Sequence, residues 1–232
     1  SALCQLNSGY AKEIVEYSKI LKHRNVLLKQ IQKQGCIPDT LDIWNEKLVK
    51  TGSKVLKRRL DYLVELNRKF QILYSEISGG QEYTNLDYIS SVAKGSKIHE
   101  ISEQDMERTF RAKLKNSQFS DINQGFTSVG PHKDDLDITL ENVSLKKFGS
   151  QGQQRSVVLS LKLAEAEVLK HSIGERPVVL LDDVMSELDD FRVSYVISKL
   201  EDYQTFITGC SKDTVKYFRD ADIFHIENGG LL

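Results

Sequence analysis

Two adjacent carboxylates, Asp182 and Asp183, follow the apolar run VVLL at residues 178–181. Open α/β sheets place their ligand sites at the carboxyl ends of the strands. Because neighbouring carboxylates repel each other, a cation is their natural partner, and an oxygen-only site of this kind suits magnesium together with phosphate. We expect Asp182 to hold the hydration shell of Mg2+ and Asp183 to orient or deprotonate an attacking water. The alternative is structural, with the pair ending a strand and capping the next helix.

A second stretch with chemical potential, FGSQGQQRS at residues 148–156, stands directly before the helical sequence VVLSLKLAEAEVL. A helix start of this composition offers an anion free backbone N–H groups and the positive end of the helix dipole. Ser150 adds a hydroxyl donor, Gly152 permits close approach, and Gln153 adds an uncharged amide donor. The alternative is an ordinary helix start with Ser150 as its N-cap. The order of the motifs favours a phosphate site, because the paired acids and then the tetrapeptide SELD follow this helix.

The first part of the chain predicts two long helices joined by a short turn. Apolar residues recur at helical spacing from about Tyr10 to Lys33, and Gly35 and Pro38 then break the pattern. A second, longer amphipathic pattern follows, which Asp39 or Thr40 can cap. The short connection indicates that the two helices form an antiparallel hairpin.

The formal net charge of −1 hides an asymmetry between two parts of the chain. Residues 1–78 carry fourteen Lys and Arg against eight Asp and Glu, whereas residues 79–232 carry eighteen against twenty-five. We therefore divide the chain into a basic helical arm and a head region at this boundary. The positive arm predicts contact with DNA, and the candidate contacts in its KVLKRRL segment are Lys54, Lys57, Arg58 and Arg59. A well-solvated, lysine-rich helix surface is the alternative.

The sequence of residues 79–232 predicts an α/β fold. LDYISSV indicates a strand, SEQDMERTFRAKLKNS a helix, and DLDITLENVSLKKF a hairpin that turns at Glu141 and Asn142. From Gln151 onward the pattern is helix, strand, helix, strand, helix, strand, in which VVLL is expected to be a buried parallel strand. The expected fold class is therefore α/β, with a parallel sheet and flanking helices attached to the helical hairpin.

The composition also argues against several classes of protein. No apolar run approaches the roughly 20 residues needed to span a bilayer, and the first ten residues lack the pattern of a signal peptide. We therefore expect a cytoplasmic protein that does not contact the membrane. Cys4, Cys36 and Cys210 are odd in number and widely separated, which suggests neither a disulfide framework nor a zinc site.

Four segments in this order resemble the RecF family of bacterial recombination mediators, a branch of the SMC-like ABC ATPases. They are TSVGPHKDDL, FGSQGQQRSVVLSLKLAEAEVL, VVLLDDVMSELDDFR and QTFIT. In the arm, LKHRNVLLKQ and LDIWNEKLVKTGSKVLKRR are similar to that family as well. The resemblance extends over nearly the whole chain, and it implies the C-terminal lobe of an ABC-type ATPase head.

The resemblance assigns the helix start to the ABC signature motif. In this family the signature contacts the γ-phosphate of ATP that is bound to the other subunit of a homodimer. The positions that match it here are Ser150, Gln151, Gly152 and Gln153. ATP and Mg2+ are therefore the implied cofactors of the complete dimer.

The resemblance also assigns roles to the second motif. Asp182 and Asp183 match the Walker B acids, with Asp182 as the implied metal ligand. Ser186 and Asp189 belong to the matching D-loop, which lies across the dimer interface near the attacking water. The stretch containing His132 and Lys133 matches a family motif whose role the residues themselves do not indicate.

The chain departs from the wider ABC pattern in three ways. Asp183 stands where most ABC proteins have Glu, a feature that RecF proteins share and that implies slow turnover. After the next strand, Thr208, Gly209 and Cys210 occupy the place of a switch histidine. No GxxxxGK[ST] loop occurs in the sequence, so we expect a C-terminal fragment that by itself neither binds ATP tightly nor hydrolyses it.

For the complete protein, the resemblance implies a DNA-binding ATPase whose ATP-sandwiched homodimer acts at single-strand gaps and helps to load the RecA recombinase. RecR is the implied direct partner, and RecO and RecA are indirect ones. A non-enzymatic DNA-organising or scaffolding module that keeps the head shape is the alternative. A long-armed SMC or nuclease-partner ATPase is disfavoured, because the arm is short and lacks hinge and zinc-hook cysteines.

Overall fold

The computed structural model describes residues 2–93, 98–185, 188–210, 217 and 221–231. The chain divides into two compact units, Ser1–Ile173 and Gly174–Leu232, which are treated separately below. Across the described ranges, no helix is both long enough and apolar enough to cross a bilayer.

The first unit begins with α1 (Ala2–Leu6), α2 (Ser8–Gln34) and α3 (Thr40–Ile77). Asn7 caps α2, because its side-chain oxygen accepts a hydrogen bond of 3.0 Å from the N–H of Tyr10. The two long helices confirm the pair predicted from apolar spacing.

Backbone geometry ends α2 at the predicted glycine. Gly35 adopts a φ of 72°, and its N–H donates to the carbonyl oxygen of Ile31 at 2.8 Å. Glycine reaches this left-handed conformation without a steric penalty, which makes it a favourable helix terminator. Asp39 takes the N-cap position of α3, although its side chain makes no capping hydrogen bond.

Contacts between α2 and α3 establish that the hairpin is antiparallel. Glu13, near the start of α2, pairs with Arg58 in the middle of α3. Further along α2, the ring of His23 stacks on Trp44 near the start of α3, with the ring centroids 4.9 Å apart. Contacts that advance along one helix therefore move back along the other, as predicted.

A short sheet follows the hairpin. Its strands are β1 (Thr84–Ile89), β2 (Asp135–Leu140) and β3 (Val143–Ser144), which pair antiparallel in the order β1, β2, β3. Glu141 and Asn142 turn the chain between β2 and β3 with φ values of 49° and 64°. Positive φ at both central residues is typical of a two-residue hairpin turn, so the predicted turn is confirmed.

The described part of the first unit also contains a short 3-10 helix (Ile98–Glu100) and the helices α4 (Glu103–Gln124), α5 (Leu145–Phe148) and α6 (Gln151–Ile173). The alternating pattern that predicted a strand through Phe148 therefore stops earlier, because α5 begins directly after β3. Both α4 and α6 pack along α3. Since α3 contacts helices that follow it in sequence, the compact unit extends across residues 78 and 79, and the division into arm and head stays a functional prediction.

The second unit contains β4 (Val179–Asp182), α7 (Asp190–Leu200) and β5 (Thr205–Thr208), in which the two strands pair in parallel. This parallel pairing confirms the predicted strand direction. The predicted burial of the VVLL run is wrong for most of the run: Leu181 is 7% exposed, but Leu180 is 73% exposed. Neighbouring residues of a strand face opposite sides of the sheet, so within the described residues the side of Leu181 is covered and the side of Leu180 is not.

The last part of the predicted alternation is only partly described. The predicted final helix falls mainly on residues 211–216 and 218–220, which lie outside the described residues. Where the pattern predicted one further strand, the described end contains two, β6 (Ile226–Glu227) and β7 (Gly230–Leu231). These two short strands pair antiparallel as a separate hairpin.

Candidate nucleotide site

Ser150 and Gln153 form a reciprocal cap at the start of α6. The N–H of Gln153 donates to Ser150 Oγ at 3.2 Å, and the N–H of Ser150 donates to Gln153 Oε1 at 2.9 Å. This is a capping box, in which two side chains satisfy backbone donors at the helix end. The local interpretation of Ser150 as an N-cap is therefore correct, and the cap gives this helix start a defined shape.

The capped turn leaves room and donors for an anion. The N–H groups of Gln151 and Gly152 lie in the first turn, where no intrahelical acceptor precedes them. Both residues are exposed, and, apart from the surrounding turns of its own helix, no described atom lies within 4 Å of the position that a Cβ would take on Gly152. An open helix end of this kind fits a phosphate group, because the helix dipole and the free N–H groups both favour negative charge.

Glu82 holds the side-chain amide of Gln153. Gln153 Nε2 donates to Glu82 Oε1 at 2.6 Å, while the hydroxyl of Tyr74 donates to Glu82 Oε2 at 2.5 Å. Tyr74 belongs to α3 and is 1% exposed, so this contact is anchored in the helix pair. With its oxygen on Ser150 and one amide proton on Glu82, Gln153 is fixed in orientation, and its second amide proton can still serve an approaching acceptor.

Thr208 contacts the side chain of Asp182 and the backbone of Asp183. Its hydroxyl donates to Asp182 Oδ1 at 2.5 Å, and it accepts a hydrogen bond from the N–H of Asp183 at 3.1 Å. The parallel register of β4 and β5 places Asp182 opposite Thr208 and so makes these contacts possible. Both acids are exposed at the end of β4, as predicted for a ligand site.

Asp183 has a φ of 51°, in the left-handed region. Asp and Asn are the side chains that tolerate this region best, and backbone conformations of this kind are common at functional sites. The conformation turns the chain sharply after β4.

The potential metal ligands of Asp182, Asp183 and Thr208 are oxygen atoms, which Mg2+ prefers. Mg2+ usually keeps several of its water ligands and also contacts phosphate, so a few protein oxygens are sufficient to hold it. Within the described ranges, no cluster of three or more His, Cys, Asp or Glu side chains offers a complete protein cage for a metal ion. A bound Mg2+ at the paired acids would therefore need water or phosphate oxygens to complete its coordination.

Asp189 has a clear structural role in the second unit. It is the N-cap of α7, accepts a hydrogen bond of 2.9 Å from the N–H of Arg192, and forms an ion pair with the Arg192 side chain. The hydrogen bond from that N–H is the main cause that holds the pKa of Asp189 below its usual value. The predicted nucleotide role of Ser186 concerns a residue that lies outside the described part of the chain.

Three of the four predicted DNA contacts have partners within the chain. Lys57 contacts Asp61 at 2.7 Å, and Arg59 donates to the carbonyl oxygen of Pro131 at 2.6 Å. Arg58 donates to both carboxylate oxygens of Glu13, at 2.6 and 3.0 Å. Lys54, by contrast, is half-buried beside a groove and has no ion pair among the described residues.

The motif that contains His132 serves as a structural junction. The Nε2 atom of His132 lies 3.0 Å from the carbonyl oxygen of Thr127, and because a carbonyl can only accept, Nε2 carries the proton. The Tyr17 hydroxyl donates to Nδ1 at 2.7 Å. Lys133 extends over the ring of Phe126, with its ammonium 4.9 Å from the ring centroid. These contacts fix the segment before β2 against α2.

Sequence reasoning missed Glu82 and Tyr74, and it considered Thr208 only as a replacement for a switch histidine. Glu82 and Gln153 are far apart in the sequence, and no motif links them. The only local signal was for Thr208, since the end of a neighbouring parallel strand is a common place for site residues.

Nearly the whole chain is similar in sequence to RecF proteins. It is 38% identical over 229 residues to the DNA replication and repair protein RecF of Clostridium tetani, a match that covers 98% of this chain and 61% of the relative. It is 41% identical over 215 residues to the RecF protein of Ruminiclostridium cellulolyticum, covering 91% of this chain and 56% of the relative. No family model matches the sequence.

Solved structures agree with the sequence relatives. The recombination mediator protein RecF-ATPrS in the RecFOR pathway has a TM-score of 0.87 and 37% identity, covering 99% of this chain and 60% of that one. The corresponding RecF-ATP structure also has a TM-score of 0.87, with 36% identity. The chain spans about three fifths of the length of the relatives it matches. Over nearly its whole length, the chain is similar to RecF proteins in both sequence and fold.

Proposed function

We propose that this chain is part of a DNA-binding, ATP-dependent ATPase of recombinational DNA repair, which works as a homodimer. The observation that carries the proposal is the open, capped start of α6, where Ser150 and Gln153 fix each other beside an exposed Gly152. Similar solved RecF proteins are described with ATP and ATPrS, which supports a nucleotide at the site.

In the proposed dimer, this helix start contacts the γ-phosphate of ATP held by the other copy. Backbone N–H groups of Gln151 and Gly152, the Ser150 hydroxyl and the remaining Gln153 amide proton supply the contacts. These donors are uncharged and already oriented, so they stabilise developing negative charge with little rearrangement.

The paired acids supply the other half of the proposed chemistry. Asp182, which accepts from the hydroxyl of Thr208, would hold Mg2+ through its water ligands. Asp183 would orient the attacking water or accept its proton. A bound Mg2+ would neutralise charge on the phosphates, while the protein residues position the water and the nucleotide.

Substitution of Asp183 by Asn tests whether the protein is an enzyme. Asn also tolerates a left-handed backbone, so Asp183→Asn changes the charge and leaves the turn intact. In a polypeptide that also carries a phosphate-binding loop, we expect steady-state ATP hydrolysis to fall by about 100-fold or more, because a general base contributes at least that much. The exposed Asp222 provides the control, since Asp222→Asn should leave the rate unchanged.

Equal hydrolysis rates in the Asp183→Asn variant and the unchanged protein would reject the enzymatic function. They would favour the alternative of a DNA-organising scaffold that binds ATP without a catalytic role for Asp183. A second measurement concerns the 232-residue chain alone. Nucleotide titration of this chain should show no micromolar binding, because the sequence contains no GxxxxGK[ST] loop.

The biological setting is part of the proposal. The curated relatives are DNA replication and repair proteins, and the similar structures are recombination mediators of the RecFOR pathway. We extend this to action at single-strand gaps, assembly with RecR, indirect contact with RecO, and assistance in loading RecA. Binding assays with gapped, duplex and single-stranded DNA test the first of these extensions, which a lack of preference for gaps would reject.

A further inference from the structure

We propose that the groove between α2 and α3, beside Trp44, binds the phosphodiester backbone of DNA. The groove is bordered by lysines of α3 and has a cavity volume of about 320 Å3. This inference rests on the proposed DNA-binding function. It keeps Lys54 from the cluster expected from the sequence and moves the rest of the contact to Lys47 and Lys50. We call this surface the Trp44 groove, and its basic residues are Lys47, Lys50 and Lys54.

The three lysines form one row along α3. Their spacing of three and four residues places them on the same side of the helix. Lys47 and Lys50 are exposed, Lys54 is half-buried, and none of them forms an ion pair with a described residue. Their ammonium groups are therefore available to phosphate oxygens, and they release counterions when they bind.

The three neighbouring basic residues differ in this respect. Arg58 makes two hydrogen bonds to the carboxylate of Glu13, and Lys57 contacts both Asp61 and the carbonyl oxygen of His99. Arg59 donates to the hydroxyl of Tyr10 as well as to the Pro131 backbone. A DNA phosphate would have to break these contacts before it could bind Lys57, Arg58 or Arg59. The lysines of the Trp44 groove can bind phosphate without that loss.

Two glutamates also border the groove, and they set its charge balance. Glu13 is neutralised by its ion pair with Arg58. Glu16 is exposed, but the neighbouring depression on α2 that it also borders includes Lys12 and Lys19. Positive charge therefore exceeds negative charge on this face of the helix pair, as a polyanion site requires.

Trp44 gives the groove its own reporter. The indole ring is stacked on His23 and lies beneath the ammonium of Lys47, 5.0 Å from the ring centroid. A phosphate that binds Lys47 would alter this cation–π contact and the surroundings of the indole. Trp44 is the single tryptophan of the sequence, so fluorescence excited selectively at tryptophan comes from this groove and not from the nine tyrosines.

The test is a fluorescence and affinity titration of the 232-residue chain with a single-stranded oligonucleotide and with the matching duplex. The variant combines Lys47→Gln, Lys50→Gln and Lys54→Gln. We expect it to bind at least 10-fold more weakly, and we expect its salt slope to fall by about 2 to 3, near 0.7–0.9 for each lost phosphate contact. Trp44 fluorescence should change on DNA binding to the unchanged chain.

Two control variants separate the groove from general charge. One combines Lys57→Gln, Arg58→Gln and Arg59→Gln, and it tests the three members of the sequence-predicted cluster that do not border the groove. The other neutralises three exposed lysines elsewhere on the first unit, Lys33, Lys113 and Lys115. Far-ultraviolet circular dichroism and thermal unfolding of each variant establish that it remains folded.

The possible results distinguish binding in the groove from DNA binding elsewhere on the chain. A selective loss in the groove variant with either DNA supports the groove, and comparison of the two DNA forms shows which strand state supplies the phosphates. An equal loss in the Lys33, Lys113 and Lys115 variant, or DNA binding without a change in Trp44 fluorescence, overturns the groove while DNA binding itself stands. If the unchanged chain binds neither DNA at low salt, the proposed DNA-binding function of this chain fails, and the groove fails with it.

Discussion

Gln153 Nε2 donates a hydrogen bond to Glu82 Oε1 at 2.6 Å, which ties the signature-like helix start of α6 to the segment that leads into β1. The other oxygen of Glu82 accepts from Tyr74 on α3. The same glutamine also caps the helix through Ser150. The proposed nucleotide contact and the helix pair are therefore mechanically connected through one carboxylate.

Substitution of Glu82 tests this connection. Glu82→Ala leaves the buried hydroxyl of Tyr74 without this acceptor and releases Gln153. Hydrogen bonds to charged groups contribute about 1.5–3 kcal/mol, so we expect a loss of about that size in unfolding free energy, measured by urea denaturation. Amide hydrogen exchange at Ser150 should also become faster, because its N–H donates to the released glutamine.

Glu82→Gln is the matched control, since its amide can accept from Gln153 and donate to Tyr74. We expect this variant to retain slow exchange at Ser150 and most of the stability. If Glu82→Ala leaves exchange at Ser150 unchanged, Glu82 does not hold the cap.

Removing one partner of the buried pair of Arg24 and Asp121 should be strongly destabilising. Both side chains are 0% exposed, and the Arg24 Nη1 atom lies 2.9 Å from Asp121 Oδ2. Arg24→Met leaves the carboxylate buried without its cation, which costs about 3–5 kcal/mol in comparable sites. Urea denaturation followed by Trp44 fluorescence measures this loss in the helix pair.

Arg111 and Glu46 provide the contrast, because they form a similar ion pair of 2.7 Å between exposed side chains. Exposed pairs contribute about 0–1 kcal/mol, so Arg111→Met should have little effect on unfolding. Similar losses for Arg24→Met and Arg111→Met would mean that burial does not set the contribution of these pairs.

Gly52 illustrates a case in which packing should outweigh helix propensity. A Cβ at this position of α3 would lie 2.6 Å from Phe110 Cε1 and 2.9 Å from Tyr17 Cε2. Alanine is the better helix former by about 1 kcal/mol, but overpacking costs about 1–3 kcal/mol. We expect Gly52→Ala to lower the thermal unfolding temperature.

The control is Gly152→Ala, at a helical glycine where a Cβ would meet no described atom within 4 Å beyond the surrounding turns of its own helix. This change should leave the unfolding temperature unchanged or raise it. If Gly52→Ala were the more stable of the two variants, the close packing of α3 on α4 would be contradicted.

His132 should make the stability of the first unit depend on pH. Burial is the main cause that lowers the pKa of His132 below its ordinary value of 6.5, while the hydrogen bond to Thr127 opposes this effect. In the unfolded chain, His132 therefore binds a proton as the pH falls below 6.5, whereas in the folded chain it does so only at a lower pH. The free energy of unfolding decreases in that range. Above pH 6.5 the contribution is fully present.

The difference between the unchanged chain and His132→Gln isolates this effect from other titrating groups. We expect the unfolding free energy of the unchanged chain to fall more steeply than that of the variant between pH 7 and pH 5. Parallel pH profiles for the two proteins would contradict the assignment of His132 as a buried, neutral side chain.

Local sequence was sufficient for the features that depend on a few neighbouring residues. Apolar spacing predicted α2 and α3, Gly35 predicted the end of α2, and the Glu141–Asn142 turn was confirmed by positive φ values. The cap at Ser150 follows the same rule. Helix periodicity, glycine conformation and capping act over one or two turns, so the local amino-acid sequence determines them.

Only the tertiary structure determined which side chains form contacts with distant parts of the chain and which are exposed to solvent. It brought Glu82 to Gln153 and Glu13 to Arg58, contacts between residues that are far apart in the sequence. It also left Leu180 exposed where the apolar run predicted burial. Ion pairing and burial depend on which surfaces meet after the chain has folded, and local propensities do not encode that meeting.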